Sequence, residues 1–147
     1  MKISTRGDYG IRAMVELAQR YGEGYVLSSE IAAARYVPEK YLCQLLILLR
    51  KAGLIKSRRG PRGGHALARP PDQISLADAV TALEGPWVPV SCVQEGMVND
   101  CPCSDDCPVR DIWLRVTQVT RRILEETTFD RLAEKERQKR LARPEMQ

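Results

Sequence analysis

Residues 28–68 contain the stretch that decides the fold, SSEIAAARYVPEKYLCQLLILLRKAGLIKSRRGPRGGHALA. Ser28 or Ser29 is a suitable N-cap for a short helix through EIAAARY, because a serine hydroxyl accepts a hydrogen bond from the free N–H groups of a first turn. Pro38 suits the first turn of a second, longer helix, and Gly53 suits the end of that helix. Two helices joined by so tight a turn are typical of a helix-turn-helix.

The next segment predicts a β-hairpin, which would make this a winged helix. Two short strands are expected over residues 54–58 and 65–68, joined by a turn rich in Gly, Pro and Arg. Such a slim basic tip suits the narrow, electronegative minor groove of A·T-rich DNA, and a solvated basic hairpin is the alternative. The wing residues expected to contact DNA are Arg58, Arg59, Gly60, Pro61 and Arg62.

The longer helix is predicted to have one buried face and one polar face. Four leucines recur at i, i+3, i+4 and i+7, which indicates a buried stripe formed by Leu42, Leu45, Leu46 and Leu49. The polar face suits DNA, because glutamine can pair with adenine in the major groove and basic side chains neutralise phosphates. The predicted contacts are Lys40, Tyr41 and Gln44 in the major groove, and Arg50 and Lys51 on phosphates. Cys43, next to the stripe, is expected to be a half-buried core thiol.

Charge along the chain is segregated, although the net charge is only +4. Residues 35–69 contain nine basic side chains and one acid, whereas residues 72–107 contain seven acids and no Lys or Arg. A basic block beside an acidic one favours a polyanion as the partner of the first, and two solvated faces are the alternative. Combined with the winged helix, this pattern predicts double-stranded DNA as the partner.

Helical patterns extend the fold on both sides of the wing. A first helix is expected over residues 5–21, another from the capping box SLAD at Ser75, and a long helix from Pro108. The predicted fold class is mainly α with a small β-hairpin wing. The expected order is a winged helix-turn-helix domain (1–84), a cysteine-rich loop (85–107), a long dimerisation helix (108–126), and a short capped helix with a charged tail (127–147).

The helix from Pro108 carries an apolar seam along its length. At about 1.5 Å per residue the seam is long enough to cross a small domain. A seam on a terminal helix is typical of a two-fold homodimer, with packing onto its own domain as the alternative. The residues expected at the dimer interface are Ile112, Trp113, Val116, Val119 and Ile123.

Several functional classes are disfavoured by what the sequence lacks. The opening MKISTRGDYGIRAM has no apolar signal-peptide core, and no run approaches the roughly 18 apolar residues of a membrane span. The default expectation is therefore the cytoplasm, with no membrane partner, where disulfides are usually transient. No paired acid and base, nucleophile elbow or phosphate loop is present, so the sequence does not predict an enzyme.

Four of the five cysteines lie within residues 92–107, namely Cys92, Cys101, Cys103 and Cys107. Such a concentration of thiols suits a disulfide pair, a zinc site, a redox switch or an iron–sulfur cluster. The odd total argues against a purely structural disulfide framework. The segment is long and has little periodicity, and insertions of that kind are uncommon unless they have a function.

Taken together, these segments resemble the bacterial winged-helix transcriptional regulators that include IscR, NsrR, RirA and CymR, the iron–sulfur-type regulators. The resemblance rests on KISTRGDYGIRAM, YLCQLLILLRKAGLI, RRGPRGGHAL and ISLADAVTALEGP, followed by a cysteine segment that leads into IW of the long helix. It implies a homodimer that binds a palindromic operator, with the C-terminal helices crossing between subunits. The expected role is transcriptional regulation, with repression favoured.

The resemblance also implies a cofactor. Many members of this family hold an iron–sulfur cluster through three cysteines just before the long helix, the last two separated by five residues. Cys101 and Cys107 have that spacing and Cys92 stands at the place of the first ligand, so the resemblance assigns the cluster to these three. The sequence does not distinguish a 2Fe-2S from a 4Fe-4S cluster.

Two candidates remain for the fourth ligand, Cys103 and Asp8. Asp8 matches an acidic position that some members use from the first helix of the partner subunit. Arg110 occupies the place of a histidine ligand found in others, and arginine cannot ligate iron because it stays protonated. His65, the only histidine, lies on the predicted wing and is expected to be solvated or to face DNA.

Other chemistries stay open beside the cluster. The cysteine intervals of eight, one and three residues include no C-x2-C pair, which disfavours zinc knuckles and ferredoxin-like electron transfer. A zinc-containing or cluster-free regulator of the same fold, controlled by thiol oxidation or by a metabolic-enzyme partner, is the alternative hypothesis.

Overall fold

The computed structural model describes residues 2–96, 101–103 and 105–144. Within these ranges the chain forms six α-helices and one antiparallel hairpin, which confirms the predicted fold class. The elements are α1 (Thr5–Gln19), α2 (Ser28–Arg35), α3 (Glu39–Lys51), β1 (Ile55–Arg58), β2 (Gly64–Leu67), α4 (Leu76–Glu84), α5 (Arg110–Glu126) and α6 (Phe129–Leu141), with short 3-10 turns at Pro71–Gln73 and Ser91–Val93.

Helix α1 packs closely against α4. The N-cap Ser4 accepts a hydrogen bond from the Gly7 N–H at 3.3 Å and donates its own N–H to Glu84 Oε1 at 3.0 Å, so the start of α1 is tied to the end of α4. A Cβ on Gly10 would lie 2.4 Å from Leu83 Cδ1. Only glycine allows the two helices to approach so closely at this point.

The helix-turn-helix is formed by α2 and α3, with two differences from the predicted caps. The N-cap of α2 is Leu27, which has no capping side chain, and the hydroxyl of Ser28 instead donates to Glu39 Oε1 at 3.3 Å. Pro38 is the N-cap of α3 and lies before its first turn. The four leucines of the α3 stripe are fully buried, as predicted.

The wing has the predicted hairpin, extended by a third segment. Strands β1 and β2 pair with Ile55 opposite Leu67, and Val26 exchanges two backbone hydrogen bonds of 2.8 Å with His65. Gly64 adopts a φ of 138°, and a Cβ there would lie 2.4 Å from the Val26 carbonyl oxygen. The glycine therefore permits the wing to lie directly against the segment that follows α1.

The C-terminal helices differ most from the sequence-based boundaries. The capping box at Ser75 and Asp78 is present as predicted. Helix α5 begins at Arg110, two residues later than expected, and α6 continues to Leu141, so the predicted short helix is longer and the charged tail shorter. Phe129 and Ala133 of α6 are buried in the core against α1, which explains the extra length of ordered helix.

Candidate DNA-binding surface and cysteine segment

The exposed face of α3 carries Lys40 and Gln44, two of the three predicted major-groove residues. Lys40, Gln44 and Ile47 are exposed, and so are Arg50 and Lys51 at the C-terminal end of the helix. Basic side chains and a glutamine at successive turns of one helix can donate hydrogen bonds to phosphates and base edges.

The exposure of two further α3 residues differs from what the sequence pattern suggests. Cys43 is exposed, so the prediction of a half-buried core thiol was wrong: it lies about 100° around the helix from Leu42, outside the leucine stripe. Tyr41, predicted to contact the major groove, is half-buried, and its ring meets that of Tyr9 edge-on with 5.9 Å between centroids. The contact with α1 orients the phenol at the margin of the exposed face.

The wing tip presents its basic residues to solvent. All five predicted contact residues, Arg58, Arg59, Gly60, Pro61 and Arg62, are exposed. Behind them, the Tyr25 ring lies 5.8 Å from Lys56 Nζ and 5.7 Å from the Arg58 guanidinium carbon. These cation–π contacts engage Lys56 and Arg58 at the base of the wing, and Arg59 and Arg62 lie exposed beyond them.

His65 belongs to the base of the wing and not to its exposed tip. It is half-buried, and its Nδ1 lies 2.8 Å from the Ser57 hydroxyl on the opposite strand. Burial, followed by the nearby positive charge of Arg50, lowers the pKa of His65 below its ordinary value. The expectation of a solvated histidine was therefore wrong, and a contact of His65 with DNA stays a prediction.

Arg35 is the member of the basic block that is turned inward. Its side chain is 10% exposed and pairs with Glu16 at 2.7 Å and with Glu136 at 2.5 Å. Hydrogen bonding from Arg35, supported by Gln19, lowers the pKa of Glu136 to about 2 although burial opposes the shift. We call Arg35, Glu16, Gln19 and Glu136 the α6 clamp, because together they join α1, α2 and α6.

Sequence reasoning missed the α6 clamp and assigned Arg35 to the polyanion-binding block. Glu136 lies 101 residues away from Arg35, and nothing in the local pattern of either segment indicates the pair. The clamp fixes the end of α2 and thus the position of the turn that precedes α3.

Asp8, the candidate ligand on α1, is already engaged in an ion pair. Its Oδ2 lies 2.7 Å from Arg12 Nη2 one helical turn later, with both side chains about half exposed at 50% and 43%. Exposed pairs of this type contribute roughly 0–1 kcal/mol. The carboxylate is therefore at the surface and weakly held.

The cysteine segment begins and ends next to α5. Cys92 lies in the Ser91–Val93 turn, whose Val93 is buried, and Glu95 pairs with Arg121 of α5 at 3.0 Å. Cys107 lies three residues before α5. Cys92 and Cys107 are half-buried, while Cys101 and Cys103 are exposed.

The thiols are not gathered into one metal site. Among the described residues, no group of three or more His, Cys, Asp or Glu side chains is close enough together to hold a metal ion. Cys92, Cys103 and Cys107 are free thiols. Residues 97–100 and 104, which lie within the predicted cluster loop, are outside the described part of the chain.

Helix α5 carries an exposed apolar stripe on the side away from α4. Ile112, Val119 and Ile123 are 48%, 57% and 59% exposed, and Trp113 and Val116 are half-buried beside them. Large apolar side chains in a continuous exposed stripe are typical of an interaction surface.

Helices in the described part of the chain are all too short or too polar to cross a bilayer.

Comparison with known proteins places the chain among transcriptional regulators. The family model Rrf2, described as an iron-dependent transcriptional regulator, matches residues 3–135. The HTH-type transcriptional regulator CymR of Bacillus subtilis (strain 168) is 39% identical over 133 residues, which is 90% of this chain and 90% of CymR.

Solved structures agree with the sequence comparison. CymR, described as the global cysteine regulator of B. subtilis, matches with a TM-score of 0.75 over 91% of this chain and 97% of its own, at 39% identity. T. potens IscR matches with a TM-score of 0.77 over 99% of this chain and 96% of its own, at 34% identity. These relatives are regulators and not enzymes, and the chain belongs to the Rrf2 family of helix-turn-helix transcriptional regulators.

Proposed function

We propose that the protein is a cytoplasmic homodimeric repressor that binds a palindromic operator and is controlled by an iron–sulfur cluster held by Cys92, Cys101 and Cys107. The observation that carries this proposal is the position of the cysteine segment, which lies next to α5 at both ends. The Ser91–Val93 turn, with Cys92 and the buried Val93, contacts α5 at one end, and Cys107 leads into the first turn of α5 at the other. A group that joins the thiols would therefore act directly on the proposed dimerisation helix.

The exposed stripe of α5 supports the homodimer. Two copies of the stripe can cover each other across a two-fold axis, which removes Ile112, Val119 and Ile123 from water in both subunits. A two-fold dimer presents two α3 helices to DNA, and two-fold proteins bind sites with matching symmetry. The operator is therefore expected to be a palindrome with one half-site for each winged helix.

The chemistry of the cysteines suits the proposed cluster. Thiolates are the ligands that iron–sulfur clusters require, and accessible cysteines close in sequence can supply them without unfolding a core. Cys101 and Cys103 are exposed, and Cys92 and Cys107 are half-buried at the two ends of the segment next to α5. When bound, the cluster would supply a cross-link that iron limitation or oxidants remove.

Cys103 and Asp8 both remain candidates for the fourth ligand. Cys103 lies within the same segment, so it can act within one subunit. Asp8 would act from the partner subunit and would have to give up its weak surface pair with Arg12. Cys103→Ser and Asp8→Asn each remove one candidate at little structural cost. We expect only one of the two variants to change the cluster's absorption spectrum, and a spectrum unchanged in both would exclude both residues.

A second function is favoured by the similarity to CymR. In this alternative the same DNA-binding dimer carries no cluster, or carries zinc, and responds to thiol oxidation or to a metabolic-enzyme partner. The observation that favours its cluster-free form is that the described thiols do not converge on one point; the same observation does not favour zinc. Protein purified without oxygen that is colourless and contains no iron, yet binds DNA, would support it.

The DNA-binding part of the proposal can be tested with a pool of duplexes of random sequence. Repeated selection of the bound duplexes should yield a palindrome, and footprinting should show protection on two successive turns of one DNA face. Half-sites of a helix-turn-helix dimer are expected about 34–36 Å apart or at a multiple of that spacing. Enrichment of asymmetric single half-sites would contradict the dimeric arrangement.

A further inference from the structure

Tyr36 occupies the turn of the helix-turn-helix in a backbone conformation that tyrosine rarely adopts. It ends α2 with φ 55° and ψ 46°, in the left-handed region. Among the described residues it is the only one other than glycine with a positive φ. For a bulky L-residue this conformation is unfavourable, because Cβ crowds the neighbouring carbonyl oxygen, and glycine or asparagine is the usual occupant.

The folded subunit does not use the Tyr36 side chain for packing. The side chain is 88% exposed, more than any other large apolar or aromatic side chain that the structure describes. The next residue, Val37, is buried and supplies the core contact of the turn. A strained residue that contributes so little to its own subunit is evidence for a role in binding.

The position of Tyr36 places it beside the proposed path of DNA. It lies two residues before Pro38, the N-cap of α3, and four residues before Lys40 on the exposed face. The N-terminal residues of a recognition helix contact base edges inside the major groove. The turn that precedes this helix therefore lies at the edge of the groove, where the sugar–phosphate backbone runs.

Two basic side chains, Arg12 and Lys40, lie near the turn, and Arg12 is paired with Asp8. Arg12 Nη1 donates to the Arg35 carbonyl oxygen at 3.5 Å, which brings a guanidinium group to the peptide bond that joins Arg35 and Tyr36. Lys40 is exposed on the next helix. A phosphate that approaches this turn would meet the projecting phenol, with the exposed Lys40 and the Asp8-paired Arg12 nearby.

We infer that the Tyr36 hydroxyl donates a hydrogen bond to a DNA phosphate at the edge of the major groove that α3 occupies. The contact positions the helix and does not select bases, because phosphates are alike along the duplex. It also releases no counterion, since the phenol is neutral. The inference rests on the proposed placement of α3 in the major groove.

The test uses Tyr36→Phe and Tyr36→Asn in the full chain, titrated against two duplexes. One duplex carries the site that the wild-type chain selects from a random pool, and the other has a scrambled sequence. Tyr36→Phe should weaken binding to both by about tenfold, as expected for one exposed hydrogen bond from a hydroxyl to a charged phosphate, with an unchanged salt dependence. Tyr36→Asn should weaken binding at least as much while its melting temperature is unchanged or higher, because asparagine tolerates the left-handed region.

The matched control is Leu141→Asn, which changes an 87% exposed apolar residue at the far end of α6 and should leave binding unchanged. Affinity of Tyr36→Phe within about twofold of wild type on both duplexes would overturn the inference, and so would a loss confined to the selected duplex. Reduced stability of Tyr36→Asn would overturn it as well, since the tyrosine would then serve the fold. Gln44→Ala tests the placement of α3 separately: if it leaves affinity for the selected duplex unchanged, the major-groove arrangement fails whatever Tyr36 does.

Discussion

At the scale of single residues, Gln44 is the side chain on α3 best suited to select a base. It is exposed near the middle of the polar face, and a glutamine amide can donate to and accept from one adenine in the major groove. Gln44→Ala should weaken operator binding by about 1–3 kcal/mol and relax the preference at one position of each half-site. Binding to scrambled DNA should not change.

Fluorescence titration against a set of singly substituted operators measures this effect. Gln118→Ala is the control, because Gln118 is an exposed glutamine on α5, away from the proposed DNA surface. Equal losses on every substituted operator would show that Gln44 contacts the backbone and not a base.

Residue-level prediction succeeded where helical periodicity determines exposure. The period of 3.6 residues separates the four buried leucines from Lys40, Gln44 and Ile47, and the structure confirms both faces. It failed for Cys43 and His65, because their burial depends on neighbours. Cys43 is next to a core position in sequence but not on the helix surface, and His65 is covered by Ser57 from the opposite strand.

At the scale of elements, the α6 clamp joins the C-terminal helix to the helix-turn-helix. The pKa of Glu136 falls from its ordinary value of 4.5 to about 2, chiefly through hydrogen bonds from Arg35. Because the folded-state pKa is the lower one, the carboxylate stabilises the fold fully above about pH 5, and this contribution is lost as the pH falls through 4.5 towards 2.

Glu136→Gln should therefore lower the free energy of unfolding at neutral pH by about 1–2 kcal/mol, a value reduced by partial solvent access to the pair. Between pH 5 and pH 3 the free energy of unfolding of this variant should fall less than that of wild type. Urea unfolding at a series of pH values measures both effects. Glu134→Gln, at an exposed position on α6, is the control. A parallel pH dependence in wild type and Glu136→Gln would contradict the clamp.

Elements were predicted well where local signals define them. The capping box at Ser75 and the Gly-rich wing turn are local, and both were found at the expected positions. The length of α6 was not predicted, because its surface is highly charged and only Phe129 and Ala133 bury side chains in the core. Those contacts and the clamp are long-range, and a local pattern does not contain them.

At the scale of the whole molecule, the α5 stripe determines whether the proposed dimer forms. Val119→Asp places a charge in the centre of the stripe, at a residue that is 57% exposed in the single subunit. The variant should be monomeric by light scattering and folded by circular dichroism. Its operator affinity should fall by about a hundredfold, because each half-site then binds independently.

Gln118→Asp introduces the same charge at an exposed residue next to Val119 and should remain dimeric. A dimeric Val119→Asp would show that the stripe packs elsewhere, as in the alternative in which α5 covers its own domain. The domain divisions predicted at residues 84 and 107 stay predictions.

The sequence-based expectation and the structure differ most in the cysteine segment. The family resemblance assigns Cys92, Cys101 and Cys107 to one cluster, while the described thiols are not gathered. Local patterns do not fix the conformation of this segment, because it is long and has little periodicity. The hydrophobic core of the described part of the chain is formed by the other elements.

The most direct test of the account is the iron and sulfide content, with the visible absorption spectrum, of protein purified without oxygen. Wild type should contain iron and acid-labile sulfide and should absorb visible light. Each of three variants should lose the iron, the sulfide and the absorption while keeping the circular dichroism of the fold: Cys92→Ala, Cys101→Ala and Cys107→Ala. Cys43→Ala, at the exposed cysteine of α3, should retain the cluster. A colourless wild type without iron, or iron retained in all three ligand variants, would contradict the proposed cluster.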